Sequence, residues 1–65
     1  MGKKIEYRKR KDSDTWHWCT NCSKWPIEDY DVWCGEGRPS NGELDKECLS
    51  KERNGECKMV SCEEI

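Results

Sequence analysis

Two cysteines separated by two residues, Cys19 and Cys22, lie in a segment that also carries three of the chain's four tryptophans. A Cys-x2-Cys turn brings two sulfur atoms onto one tight loop, and these are half of the ligands that a tetrahedral zinc ion needs. The remaining ligands are expected further along the chain. The spacing therefore predicts a small domain folded around Zn2+, with Cys19 and Cys22 as its first two ligands.

The size and composition of the chain make a stabilising metal ion or disulfide necessary. Of its 65 residues only 32% are hydrophobic, none is phenylalanine, and 40% are charged. A core built from so few apolar side chains rarely offsets the conformational entropy lost on folding, and small domains of this kind usually rely on metal or disulfides.

Six cysteines also permit three disulfides, so bound metal and disulfide bonds are alternative ways to stabilise this fold. The basic residues at the start of the sequence are not followed by an apolar run, so no secretory signal and no membrane-spanning stretch is expected. Thiols stay reduced in the cytoplasm, where Cys-x2-Cys more often means metal than a bridge. We therefore predict a cytoplasmic, metal-binding protein.

Charge is distributed unevenly along the chain. Residues 1–11 carry six Lys or Arg against one Glu, whereas the rest of the chain is acidic. This pattern predicts a basic, partly flexible N-terminal arm at residues 1–14 and a single zinc-binding domain at residues 15–65. An arm of this kind either keeps the protein soluble or binds phosphates of a nucleic acid. The residues that would do so are Lys3, Lys4, Arg8, Lys9, Arg10 and Lys11.

The rest of the sequence predicts short elements after the cysteine turn. Alternation favours strands at residues 15–18 and 30–33, and the glycines at 35 and 37 indicate a hairpin turn after the second strand. A helix is expected over residues 43–53, with Ser40 or Asn41 as its N-cap, and Asn-Gly at 54–55 predicts its end.

A cysteine turn, a hairpin and then a helix with ligands in its first turns predict a small α+β fold of the zinc-ribbon or treble-clef-like kind. Cys48 on the helix is the expected third ligand. For the fourth, Cys34 offers a thiolate and Asp45 offers a carboxylate three residues before Cys48. We favour the set Cys19, Cys22, Cys34 and Cys48, with Asp45 as the rival fourth ligand.

One longer motif adds to this interpretation. Residues 14–26 read Asp-Thr-Trp-His-Trp-Cys-x-Asn-Cys-x-x-Trp-Pro, and further matching runs lie at residues 38–44, 47–48 and 54–57. Over residues 7–57 the chain resembles a family of small uncharacterised bacterial zinc-ribbon or treble-clef-like proteins. Its relatives carry Cys-x2-Cys where this chain has residues 45–48, so the resemblance implies either that Asp45 replaces a cysteine ligand directly or that Cys34 has taken over its role. The family has no established activity.

His17 alternates with Trp16 and Trp18 and is expected on the opposite face of its strand. This position predicts a role beside the metal or at the surface rather than as a ligand. The tryptophans are expected to form the core, because little else is available to build one. As the chain has a single histidine and no recognisable catalytic arrangement, we do not expect an enzyme.

These features predict a monomeric structural zinc module that contacts another protein and does not enter a membrane. The first alternative is a nucleic-acid-binding zinc finger that uses the basic arm. The second is a thiol redox sensor in which Cys57 and Cys62 form a reactive pair, unless they merely staple the tail. No pattern in the sequence identifies a substrate, a partner or a biological process.

Overall fold

The computed structural model describes residues 4–62. Within that range the chain forms one four-stranded sheet and one short helix, so the expected α+β class is confirmed at this level. The elements are β1 (Ile5–Arg10), β2 (Thr15–His17), β3 (Tyr30–Gly35), β4 (Glu43–Leu44) and α1 (Lys46–Arg53).

Strand β1 lies inside the sheet, whose strand order is β3-β1-β2-β4. It pairs antiparallel with both β2 and β3. Tyr7 anchors this strand because its ring packs 5.3 Å from the rings of both Trp18 and Trp33, and only 4% of the residue is exposed. The segment expected as a basic arm ahead of the domain is therefore part of the same sheet as β2.

Helix α1 begins later than the sequence indicates. Its first residue is Lys46 rather than Glu43, and its N-cap is Asp45 rather than Ser40 or Asn41. Asp45 has an extended backbone, and its side chain accepts a hydrogen bond from a helix N–H, which is the usual role of an aspartate at this position. The predicted exit is confirmed, because Gly55 follows the helix with a φ of 73°.

Helix α1 begins late because the residues before it pair in the sheet. The backbone N–H of Glu43 donates to Asp14 O, and the N–H of Asp45 donates to Trp16 O, which aligns β4 parallel to β2. Gly42 makes this approach possible, since its φ is +79° and an added Cβ would lie 2.6 Å from Asp14 O. The residues before Asp45 therefore pair as strand β4 and are not available for the helix.

The core is aromatic, as the composition predicts. Trp18 is fully buried and Trp16 is 4% exposed. Trp18 also donates from its Nε1 to Glu52 Oε1 at 2.8 Å, which connects the strand region to α1. Trp25 and Trp33 are partly buried and pack against this core.

Two disulfides connect the C-terminal segment to the rest of the fold: Cys19 bonds Cys57, and Cys34 bonds Cys62. Cys57 and Cys62 do not bond each other, which corrects the expectation that they form a pair. Disulfides and a metal site can coexist in this fold, because the structure uses four cysteines in bridges and leaves Cys22 and Cys48 free and buried. Within residues 4–62, no helix is long and apolar enough to cross a membrane.

Candidate metal centre

Four potential ligands from three parts of the fold meet at one place. His17 ends β2, Cys22 ends the Cys-x2-Cys turn, Asp45 caps α1 and Cys48 lies in the first turn of α1. Their ligand atoms all lie within 4.8 Å of one another, so this group could hold a metal ion. We call it the metal cluster.

Backbone hydrogen bonds hold the cysteine turn in shape. The N–H of Cys22 donates to Cys19 O at 2.9 Å, and the N–H of Trp25 donates to Cys22 O at 3.1 Å. The side chain of Asn21 donates to Glu56 O at 2.8 Å and ties the turn to the segment after α1. Cys22 is therefore held on a hydrogen-bonded turn rather than on an unconstrained loop.

The three distances among the ligand atoms of His17, Cys22 and Asp45 match those between neighbouring ligands of a tetrahedral site. The Cys22 Sγ atom lies 3.7 Å from His17 Nδ1 and 3.5 Å from Asp45 Oδ2. The separation between His17 Nδ1 and Asp45 Oδ2 is also 3.7 Å. Zinc bonds of about 2.0 to 2.3 Å place neighbouring ligand atoms of a tetrahedron about 3.3 to 3.8 Å apart.

The donor atoms are two sulfurs, one imidazole nitrogen and one carboxylate oxygen. Such a set suits zinc and related transition metals, whereas magnesium and calcium prefer all-oxygen sites. The site is also shielded from water, since Cys48 is fully buried, His17 is 5% exposed and Cys22 is 6% exposed. A metal held here would lose its hydration shell to protein ligands.

Burial disfavours the ionisation of both thiols. It raises the pKa of Cys22 to about 12 and also raises the pKa of Cys48 above its usual value. The neighbouring thiol and the Asp45 carboxylate further disfavour a thiolate on Cys22. A divalent cation would offset this cost, because thiolates bind the cation directly and release their protons.

The other two ligands already have the protonation that a metal requires. Burial lowers the pKa of His17, which favours the neutral imidazole, although the Asp45 carboxylate opposes this shift. Burial opposes the ionisation of Asp45, but the hydrogen bond from the Cys48 N–H and the neighbouring His17 hold its pKa below the usual value. The cluster thus offers a neutral imidazole and a carboxylate.

The structure brings together some of the ligands that the sequence indicates and separates others. Cys22, Cys48 and the rival ligand Asp45 belong to the metal cluster. Cys34 lies on β3 and bonds Cys62, so it belongs to a different group. Cys19 is bonded to Cys57, but its Sγ lies 3.5 Å from the carbonyl oxygen of Cys48 and therefore borders the cluster.

Sequence reasoning did not select His17 as a ligand. The strand alternation correctly separates it from Trp16 and Trp18, but that second face is covered by the cysteine turn and the start of α1. His17 is consequently buried, with its Nδ1 near Cys22 and Asp45. The only signal in the sequence is the position of His17 two residues before a Cys-x2-Cys pair.

The basic side chains proposed for nucleic-acid binding mostly have partners within the fold. The Arg8 guanidinium lies 4.6 Å from the ring centroid of Trp25 and 4.3 Å from that of Tyr30. It also donates to Pro26 O at 2.9 Å. These contacts make Arg8 a packing residue of β1.

The remaining basic residues differ in their surroundings. Lys9 Nζ and Lys11 Nζ both contact the Asp31 carboxylate, at 3.4 and 2.9 Å. Lys4 and Arg10 are exposed, and Lys3 lies outside the described residues. The charge that would meet a nucleic acid is thus partly neutralised on the surface of the sheet.

Comparisons with protein-family models, with curated proteins and with solved structures find no match to this chain. The resemblance to zinc-ribbon proteins therefore stays a prediction that rests on the quoted motif. What can be said of the function depends on the metal cluster and its surroundings.

Proposed function

We propose that this protein is a structural metal-binding module that holds one Zn2+ at the metal cluster. The observation that carries the proposal is the convergence of the His17, Cys22, Asp45 and Cys48 ligand atoms within 4.8 Å in a buried setting. Zinc at this place would connect β2, the cysteine turn and α1, and would add to the small apolar core that these elements share.

The number of protein ligands supports a structural rather than a catalytic role. Catalytic zinc sites keep one position for water or substrate, whereas structural sites are filled by four protein ligands. This cluster supplies four, and the chain has no second histidine to serve as a general base. Zinc here would stabilise the fold, with thiolates and a carboxylate balancing its charge.

Contact with another protein is the role that the surface favours. Ile27 is 76% exposed and Val32 is 55% exposed, so apolar side chains are available at the surface for contact with a partner. The nucleic-acid alternative gains less support, because Arg8, Lys9 and Lys11 are engaged within the sheet. A zinc-stabilised platform for a protein partner is therefore our proposal.

The test is native mass spectrometry with metal analysis of the full chain after zinc loading and desalting. We expect one zinc per chain in the wild type and none in Cys22→Ser. His17→Ala should bind zinc more weakly by roughly tenfold or more, since even the loss of hydrogen-bonding partners of ligands costs about that much.

The double variant Cys34→Ser/Cys62→Ser is the matched control, because it also removes cysteines but leaves the metal cluster intact. It should retain one zinc. Loss of zinc from this variant would instead support the all-cysteine set with Cys34. A wild type that binds no zinc would overturn the proposed function.

A further inference from the structure

The disulfide between Cys19 and Cys57 borders the metal cluster. Cys19 is fully buried, and its Sγ lies 3.5 Å from the carbonyl oxygen of the cluster residue Cys48. It is also joined to Cys22 by the hydrogen-bonded turn described above. One sulfur of this bridge is therefore within the surroundings of the candidate zinc site.

The two sulfurs of the bridge differ in their access to solvent. Cys57 is only partly buried and lies between the exposed residues Glu56 and Lys58, whereas Cys19 has no exposed surface. Thiol–disulfide exchange begins at the sulfur that a thiolate can reach, and the other sulfur then leaves. Attack at Cys57 would release the Cys19 thiolate inside the protein, next to the metal cluster.

We propose that the Cys19–Cys57 disulfide controls the ligand set of the zinc site. While the bridge is intact, zinc has two sulfur ligands, Cys22 and Cys48. Reduction frees Cys19, which joins them as a third sulfur ligand and displaces one of the two harder donors, because zinc binds thiolates well. This inference rests on the function proposed above and makes the site responsive to thiol redox conditions.

The reductant is a small thiol such as glutathione, and the exchange balances. A glutathione thiolate attacks Cys57 Sγ, the sulfur–sulfur bond breaks, and Cys19 leaves as a thiolate. A second glutathione thiolate then attacks the glutathione sulfur of the mixed disulfide, which releases Cys57 as a thiolate and forms glutathione disulfide, and the Cys57 thiolate takes up a proton from water. Two electrons pass from two glutathione molecules to the bridge.

The second disulfide provides an internal comparison. Cys34 lies exposed on β3 and bonds Cys62, and neither belongs to the metal cluster. Reduction of this bridge frees two thiols without placing one beside the candidate zinc site. A change in zinc coordination on reduction that requires Cys19 and Cys57, but not Cys34 and Cys62, would therefore come from the Cys19–Cys57 bridge.

The test is zinc K-edge X-ray absorption of the zinc-loaded full chain, which counts sulfur ligands, before and after treatment with glutathione. We expect the count to rise from two to three in the wild type and in Cys34→Ser/Cys62→Ser. In Cys19→Ser/Cys57→Ser it should stay at two. The single variant Cys57→Ser leaves Cys19 free and should show three sulfurs without reductant.

The outcomes separate this inference from the function on which it rests. A wild type that binds zinc with two sulfurs in both states, or a count that rises equally in Cys19→Ser/Cys57→Ser, would overturn the control by Cys19 and leave the zinc module standing. A wild type without zinc in either state would overturn both.

Discussion

The carboxylate of Asp45 accepts a hydrogen bond from the backbone N–H of Cys48 at 3.0 Å, and both residues also belong to the metal cluster. One side chain thus caps the helix that carries a neighbouring ligand. Because the cap fixes the first turn of α1, it also fixes where the Cys48 thiol points. Helix formation and assembly of the candidate site depend on the same atom.

Replacing Asp45 separates these two roles. Asparagine is as good an N-cap as aspartate but a poor zinc ligand, so Asp45→Asn should weaken zinc binding while the metal-free protein keeps its stability. Asp45→Ala should weaken zinc binding and also lower the free energy of unfolding of the metal-free protein by about 1 kcal/mol. Zinc competition titration and urea denaturation would measure the two effects.

Asp31→Asn serves as the control for the loss of a carboxylate, because Asp31 lies on β3, does not belong to the metal cluster, and has its carboxylate paired with Lys9 and Lys11. It should leave the affinity for zinc unchanged. If Asp45→Asn bound zinc as tightly as the wild type, Asp45 would be a helix cap alone.

Removal of the metal should lower the thermal stability of the wild type. At a free zinc concentration 1,000 times the Kd, binding stabilises the folded state by about 4 kcal/mol. For a domain of this size, that corresponds to a fall in Tm of roughly 15 to 30 °C when a chelator is added. Calorimetry with and without EDTA measures the difference.

Cys22→Ser distinguishes this effect from an unspecific effect of the chelator. The variant should have a lower Tm than the zinc-loaded wild type and should not respond to EDTA. An equal response of both proteins would show that the stabilising metal does not bind at Cys22.

Gly42 should tolerate a side chain poorly. Gly42→Ala places a Cβ 2.6 Å from Asp14 O and 2.9 Å from Trp16 Nε1, which would push β4 away from β2. Gly55→Ala is the matched control, because its φ of +73° is similar but, within residues 4–62, an added Cβ would meet no atom within 4 Å beyond its neighbours in the chain. We expect a loss of about 1 kcal/mol in the control and roughly 1 to 3 kcal/mol more in Gly42→Ala. Equal losses in urea denaturation would show that the backbone conformation alone matters.

Arg8 should contribute to stability rather than to binding. Arg8→Ala removes its stacking on Trp25 and Tyr30 and should lower the free energy of unfolding by about 1 to 2 kcal/mol. Arg10→Ala removes an equal charge from an exposed position and should change it by less than about 0.5 kcal/mol. Similar values for the two variants would contradict a packing role for Arg8.

The sequence predicted those elements whose pattern is local. Alternation located β2 and β3 to within two residues, and Asn-Gly marked the end of α1. The sequence could not reveal β1 as an inner strand, because a segment that carries the charges of Arg8, Lys9 and Lys11 resembles a solvated arm. Their partners, such as Asp31, lie on β3 and are known only once the sheet is formed.

The same limit applies to the candidate site. Cys22 and Cys48 follow from spacing and helix position, and Asp45 follows from its position three residues before Cys48 and from the motif resemblance. His17 could not be selected, since its burial depends on which elements cover β2. Disulfide partners are likewise set by the path of the C-terminal segment, which carries Cys57 and Cys62 and has no strong pattern of its own.

The most direct test of the central claim is an anomalous difference map, collected at the zinc edge, from crystals of the zinc-loaded protein. The account predicts one strong peak per chain inside the metal cluster, bonded to its four ligand atoms. These belong to His17, Cys22, Asp45 and Cys48. A peak bonded to Cys34, or zinc-loaded crystals without a peak at the cluster, would contradict it.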